Sequence, residues 1–338
     1  MKGRTILLDH LDGREAAALM VDGYLDDLFV ESDAPPPGTI YRARADRPVK
    51  GQGGMFLTTP DGPAFLRQVK GLAGGAHLLV QVTGFAEPGK AIPVTGKVLF
   101  KSRFAIVTPD APGLNVSRSI RDDDERDRLL EIAHDTMEGS SYGLILRSSC
   151  EGADEDDVAG DIADMLALAQ QVTSDPGTNA ERLVEGDSPH ALAWREWAAE
   201  EVVTEPGCFA SHGALDAIEA ARGPSEALPG GGQMYIETTR ALVAVDVNTG
   251  ADTSLAAGLK ANLAVAKALP RALRVRGLGG QIVIDVAPMP RKDRRVFESA
   301  LRAALRGDSE ETVLAGWTPL GHFELQRKRG RVPLNEVT

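Results

Sequence analysis

Two cysteines in 338 residues, Cys150 and Cys208, are too few and too far apart for a disulfide framework, and neither belongs to a CxxC pair that could hold a metal. Both read as small buried or surface residues rather than reactive thiols. No apolar run approaches the ~20 residues that a membrane helix needs, and the N-terminus lacks the basic, apolar and small-residue order of a signal peptide. A cytoplasmic protein with no membrane span is expected. Basic residues are also in deficit, 37 Lys+Arg against 49 Asp+Glu, for a net charge of -12. Taken whole, that argues against a partner rich in phosphates. Taken in parts it does not, because residues 260–338 carry 15 basic against 8 acidic residues (+7) while residues 1–259 carry 22 against 41 (-19). At 43% hydrophobic residues the chain is an ordinary globular sequence, long enough for two or more domains.

The stretch from Ala241 to Ile284 organises the rest. Ala241-Leu242-Val243-Ala244-Val245 is apolar and β-rich and runs into Asp246-Val247-Asn248-Thr249-Gly250, a buried strand ending in a polar turn. Leu255, Leu259, Leu263, Ala266 and Leu269 then recur at helical spacing. Leu278-Gly279-Gly280 breaks the helix, and Gln281-Ile282-Val283-Ile284-Asp285 forms a second buried strand that again ends on an Asp. A strand-helix-strand unit favours parallel neighbours, so both carboxylates emerge at one sheet edge, where open α/β sheets bind ligands. Two adjacent carboxylates repel unless a proton or a cation lies between them. A hard ion such as Mg²⁺ satisfies them; two acids that merely cap strand ends read equally well on spacing. Asn248, two residues past Asp246, falls on the same side and could orient a carboxylate.

Leu228-Pro229-Gly230-Gly231-Gly232 through Asp246-Val247-Asn248-Thr249-Gly250, then Asn262-Leu263 and Arg276-Gly277-Leu278-Gly279-Gly280-Gln281-Ile282-Val283-Ile284-Asp285, resemble the catalytic core of the bacterial ribonuclease E/G family. The resemblance implies that Asp246 and Asp285 bind a catalytic Mg²⁺, that Asn248 steadies Asp285, and that the reaction is endonucleolytic hydrolysis of single-stranded RNA leaving 5′-phosphate ends. It also implies an α/β (α+β multidomain) fold: an RNase-H-like scaffold (1–35 and 176–234), an inserted OB-type barrel (36–108), a 5′ sensor (109–175) and a DNase-I-like catalytic domain (235–338).

Upstream segments agree with that order. Short strands turn at Asp12-Gly13 and Asp22-Gly23, and Asp33-Ala34-Pro35-Pro36-Pro37-Gly38 is a connector. Thr39-Ile40-Tyr41, Met55-Phe56-Leu57, Leu78–Val82 and Val98-Leu99-Phe100 alternate with Gly/Pro turns, as in a small barrel. By resemblance Phe56, Phe65 and Lys90 contact RNA there, two stacking faces and one backbone cation; from composition, core packing is the commoner fate of a Phe. Asp122-Asp123-Asp124-Glu125 opens a helix with Leu129, Leu130, Ala133 and Met137 inside, and these acids suit a helix N-terminus rather than a metal. Tyr142–Ser148 reads as a strand. By resemblance Arg147 and Ser148 at its end grip the 5′-monophosphate of RNA, although Leu114-Asn115 stands where the family's sensor loop has Gly-Gly. A further helix is expected from His190 to about Glu201, and neither His190 nor His212 belongs to a motif.

The C-terminal part departs from the family in three ways. Asp285-Val286-Ala287-Pro288-Met289 lacks a further acid soon after the second catalytic Asp, and Ala251-Asp252-Thr253-Ser254-Leu255 lacks an acidic pair. The sequence also ends soon after Phe323–Arg329, without the zinc-link cysteines or small domain, so no zinc-linked tetramer is expected and the protein is read as a monomer or dimer. Arg271, Arg274, Arg276, Arg291, Lys292, Arg294 and Arg295 could meet phosphates or form a solvated helix face. Two rival readings remain, an RNA-binding protein of this fold with decayed catalysis and a Mg²⁺-dependent phosphatase for small esters.

Overall fold

The computed structural model describes residues 3–49, 53–68 and 71–337. They fall into two compact units, Met1–Ser32 with Ala199–Thr338, and Asp33–Ala198. The first unit opens with three antiparallel strands, β1 (Arg4–Leu11), β2 (Arg14–Val21) and β3 (Tyr24–Val30). Asp12-Gly13 and Asp22-Gly23 make the two turns with all four residues at positive φ, the twist that two-residue hairpins require.

In the second unit β4 (Ile40–Val49), β5 (Gly54–Thr59), β6 (Gly62–Leu66), β7 (His77–Val82) and β8 (Ile92–Thr95) pair in the order β4-β5-β6-β8-β7, and β7 returns to β4. This is a closed, OB-like five-stranded barrel. Tyr41, Ala43, Met55, Leu57, Ala64 and Val80 fill its interior. The apolar run at Val98–Phe100, expected as a barrel strand, supplies instead the short β9 (Phe100–Lys101) at the edge of a second sheet. That sheet continues with β10 (Ala105–Thr108), β11 (Leu114–Val116) and β12 (Gly143–Leu146) in the order β11-β12-β10-β9. Helices α1 (Asp123–Thr136) and α2 (Glu155–Thr173) close a common core over it through Leu129, Ile132, Ala133, Val158, Ile162 and Ala169. Asp122 caps α1 by accepting the Glu125 N–H at 2.9 Å, so the acidic run does begin a helix. Next, β13 (Glu181–Val184) adds to β4, which keeps the chain in this unit as far as Ala198. The helix expected from His190 to Glu201 is α3 (Pro189–Glu196) and stops early, because Trp197 turns to extended backbone.

Returning to the first unit, β14 (Glu201–Val203) adds in parallel to β1, and α4 (Cys208–Ser211) and α5 (Ala214–Arg222) cover that sheet with Phe209, Ala214 and Ile218. A six-stranded sheet follows: β15 (Ser225–Ala227), β16 (Gln233–Thr238), β17 (Val243–Asn248), then α6 (Leu255–Val275), β18 (Gly280–Asp285), α7 (Arg294–Leu305), β19 (Thr312–Trp317) and β20 (Phe323–Arg327). Its order is β15-β16-β17-β18-β20-β19, and α6 is the crossover between the parallel pair β17 and β18. Val243, Val245, Ile282, Ile284 and Leu325 turn one face toward α6 and α7, where Phe297 and Leu301 complete the core.

The buried stripe of α6 differs from the expected one. Leu255 is exposed and Leu259 and Leu263 only half-buried, whereas Gly258, Ala261, Asn262, Val265, Ala266 and Leu269 face inward. Small residues let the helix approach the strand exits closely, which a leucine stripe would not. Arg276 is likewise buried and Arg274 nearly so, neither of them solvated, and Arg271, though partly exposed, is also held by a carboxylate. Arg274 pairs with Asp26 and Asp308 (both 3.0 Å), Arg276 with Glu226 (3.0 Å), and Arg271 also with Glu226. Around them Arg331 pairs with Asp27 and Arg327 with Asp308, tying α6, β3 and the end of β20 through a buried charge network. No helix among the described residues is long and apolar enough to cross a membrane.

Candidate functional site

Strand pairing sets the geometry of the two acids. Asp246 at β17 and Asp285 at β18 are direct partners in the parallel register, so their Cα atoms stand about one strand spacing apart, ~4.8 Å. The alternation that buries Val245 and Ile284 turns both carboxylates to the opposite, open face of the sheet. The Asp246 side chain has neither a hydrogen bond nor an ion pair to another described residue, and the Asp285 side chain has one ionic neighbour, His322, whose Nε2 lies 3.7 Å from Oδ1. Two exposed acids side by side with so little positive charge from the chain fit a hard divalent cation, which prefers carboxylate oxygens and keeps several waters. Among the described residues no group of three or more His, Cys, Asp or Glu side chains is arranged to hold a metal. The two carboxylates are the side chains here that could serve as donors to such an ion.

Asn248 lies two positions beyond Asp246 on the same face, but its Oδ1 accepts the Gly250 N–H at 2.8 Å and so closes its own turn. Gly250 has φ +74°, and a Cβ there would come 2.9 Å from the carbonyl of Gly231. The glycine-rich turn at 230–232 thus packs on the turn that follows Asp246.

Asn262, quoted in the sequence for its pattern and not for a role, holds the exit of the other strand. It is fully buried, and its side chain donates to the Ala287 carbonyl and accepts the Ala287 N–H, both at 2.9 Å. One amide therefore satisfies both polar groups of a peptide position two residues past Asp285. Gly258, one helical turn earlier, lets the chain pass: a Cβ there would lie 2.0 Å from the Pro288 carbonyl. An Asn on the inward face of an otherwise apolar helix was the available signal.

His322 was also missed, since a lone His next to a turn carries no motif. It precedes β20, where Ile284 pairs with Phe323, so the next antiparallel position sets it across from Asp285. On the far side Tyr235 pairs with Asp246. Tyr235, Asp246 and Asp285 thus form one row across three neighbouring strands, which His322 continues from the turn just before β20. Arg294 stacks over the Trp317 ring at 4.4 Å and approaches Gly321, which brings a cation beside the His322 turn. Arg291, Lys292 and Arg295 are exposed on the segment that follows β18. Like Arg294, they are not spent in the buried network.

In the second unit Arg147, at the end of β12, is already engaged. Its guanidinium donates to the Ser102 carbonyl at 2.6 Å and pairs with Glu196 at 2.5 Å. Burial would push the Glu196 carboxyl up, but Arg147 and Arg195 outweigh it and hold the group below the ordinary carboxylate value. Ser148 is exposed at the start of a short 3₁₀ turn, and Asn115 is exposed on β11. On the barrel, Phe56 and Phe65 are cross-strand partners on the outer face with ring centroids 5.3 Å apart, and the Arg47 guanidinium lies 5.5 Å from the Phe56 ring. Both rings are half-buried, while their neighbours Met55, Leu57, Ala64 and Leu66 fill the interior. Lys90 is exposed in the turn before β8 and pairs with Glu87 at 2.6 Å. Burial pushes both thiols up to about 11, so Cys150 and Cys208 are unreactive packing residues at neutral pH.

Mixed α/β architecture with an OB-like barrel defines the class of fold, and comparison with known proteins defines the family. A sequence model of the ribonuclease E/G family matches residues 100–204 and 196–330. Ribonuclease G of Salmonella typhimurium is 28% identical over 401 aligned positions, covering 98% of this chain and 81% of that protein. Ribonuclease G of Escherichia coli K12 is 27% identical with the same coverage. Ribonuclease E of Nostoc sp. PCC 7120 is 26% identical across 93% of this chain but 54% of its own length. The chain belongs to the ribonuclease E/G family.

Proposed function

We propose that the protein is an endoribonuclease, a hydrolase that cuts phosphodiester bonds of single-stranded RNA and leaves 5′-phosphate ends, with Mg²⁺ held by Asp246 and Asp285. The observation that carries this reading is the in-register, unneutralised pair of acids on an open sheet face, in a chain whose relatives are named ribonuclease G and ribonuclease E. When bound, the cation would supply Lewis acidity toward a phosphate oxygen and lower the pKa of an attacking water. Asp246 and Asp285 bind it, Asn262 holds the chain past Asp285, and the turn closed by Asn248 fixes the chain past Asp246. Arg294 and the exposed Arg291, Lys292 and Arg295 supply a sequence-independent attraction for the backbone, which would weaken with salt. Residues 235–338 would then be the DNase-I-like catalytic part, with the RNase-H-like scaffold at its side.

Phe56, Phe65 and Lys90 would take single-stranded RNA on the barrel, with Arg47 as a further cation at the same pair of rings. Arg147 and Ser148 are the candidates for a 5′-monophosphate, and Glu196 stands where such an anion would have to compete.

The test is cleavage of a 5′-monophosphorylated, A/U-rich single-stranded RNA in Mg²⁺ by wild type, Asp246→Asn and Asp285→Asn. Loss of at least ~100-fold in rate in each variant is expected, because cation-assisted charge stabilisation contributes several kcal/mol. Unaltered cleavage in the variants would move the site elsewhere. No cleavage by wild type with RNA still bound would leave an RNA-binding protein.

A further inference from the structure

Carboxylates at strand ends are loosely held unless something fixes them, and Asp285 has a side chain 67% exposed. Asn248, the group expected to steady it, closes its own turn on Gly250 and makes no hydrogen bond to Asp285, although its amide N–H₂ remains a donor. His322 is the side chain that meets Asp285, at 3.7 Å, and it is itself only 36% exposed.

Its backbone is pinned on both sides. Thr318 N–H donates to the His322 carbonyl at 2.8 Å, His322 N–H donates to Thr318 Oγ1 at 3.1 Å, and Gly321 N–H closes the same turn on the Thr318 carbonyl at 3.0 Å. The flanking rings of Trp317 and Phe323 pack edge-on at 5.1 Å and both reach Phe297 in the core. An imidazole on so rigid a turn is a fixed reference for a mobile carboxylate. The gap of 3.7 Å exceeds a formed hydrogen bond, and a small side-chain rotation of Asp285 closes it.

We propose that His322 is a positioning residue for Asp285: its imidazole N–H holds Oδ1 so that the other oxygen faces Asp246 and the cation between them. This rests on the reading that Asp246 and Asp285 bind a divalent cation. Bringing two like charges onto one ion costs repulsion and side-chain entropy, and a donor already in place offsets part of both. The consequence falls on cation affinity and much less on the rate once the site is filled. Partners that orient metal-binding carboxylates typically change affinity by ~10–100-fold when removed.

The experiment is a Mn²⁺ titration of the intact chain, with the free-ion electron paramagnetic resonance signal as the readout, on wild type, an Asp246→Asn/Asp285→Asn double variant, His322→Ala and His322→Gln. Melting temperatures are measured alongside. The expected result is binding by wild type, its loss in the double variant, weakening by ~10–100-fold in His322→Ala, and recovery of most of that loss in His322→Gln, which keeps an N–H donor. In RNA cleavage, His322→Ala should raise the Mg²⁺ concentration for half-maximal rate by a similar factor and leave the saturated rate within about threefold. Mn²⁺ affinity in His322→Ala within twofold of wild type overturns the proposal and leaves the two-acid site standing. Equal weakening in His322→Ala and His322→Gln also overturns it, since the donor would then not matter. Wild type binding no better than the double variant overturns the cation reading and this proposal together.

Discussion

Asn262 shows what a single buried amide does for a site it never touches. It satisfies the N–H and carbonyl of Ala287, and removing it strands both groups in a fully buried place. An unsatisfied buried polar group costs ~1–3 kcal/mol, so Asn262→Ala should destabilise the chain by roughly 2–4 kcal/mol in urea unfolding. The same variant should lose cleavage at saturating Mg²⁺, because the segment after Asp285 is freed. Gly258→Ala should act on that segment by a different route, since its Cβ collides with the Pro288 backbone. Asp246 and Asp285 were readable as a pair from two apolar runs each ending on Asp. His322 was not, because its relation to Asp285 exists only through the pairing of β18 with β20.

At the scale of elements, α1 and the end of β12 carry two carboxylate–arginine pairs with different meanings. Glu125 accepts two bonds from Arg128 at 2.8 Å and one from the Gly152 N–H, and Arg128 chiefly, then Gly152, hold its carboxyl down at about 2. A carboxyl lowered in the folded state contributes stability that is full above its unfolded value of about 4.5 and is lost as pH falls through about 2. Glu125→Gln should therefore be less stable than wild type at pH 7, and the difference should close between pH 4.5 and 2 in thermal melts. Glu196 instead covers Arg147, the end-of-strand guanidinium suited to a phosphate. Glu196→Gln should strengthen any preference for 5′-monophosphorylated over 5′-hydroxyl RNA by several-fold, from the removal of one competing charge. A preference unchanged by that substitution would make the Arg147 pair a purely structural tie. Helix starts and β-turns in these elements were legible because local chemistry decides them: Asp122 caps α1 and Asp-Gly makes each hairpin turn. Lengths were less so, as the early end of α3 and the transfer of Phe100 to another sheet show.

For the molecule as a whole, charge is distributed by use. Four of the arginines that make residues 260–338 basic, Arg271, Arg274, Arg276 and Arg327, are consumed by Asp26, Glu226 and Asp308, and so contribute little to RNA attraction. Asp27 and Arg331 form another buried pair of the same unit. Removing one partner of such a pair leaves an uncompensated charge at a cost of ~3–5 kcal/mol, so Asp27→Asn should unfold at markedly lower urea with little salt dependence. Substitution of exposed Arg291, Lys292 and Arg295 should behave in the opposite way. Stability should barely change, while RNA affinity falls and its salt dependence becomes shallower in a binding titration.

The sequence by itself determined the strand-helix-strand unit, its two terminal acids, a run of short strands that suits a small barrel and the family, because each is encoded in local periodicity and turn chemistry or in an ordered run of motifs. The closure of that barrel, and the loss of Val98–Phe100 from it, were not among them. Tertiary structure decided which side chains surround those acids and which arginines remain for a polyanion. Contacts of that kind join positions far apart in the chain, as His322 to Asp285 and Asp27 to Arg331 do, and no periodicity or spacing records them. Register across a sheet and burial of charge are settled only when the strands pair.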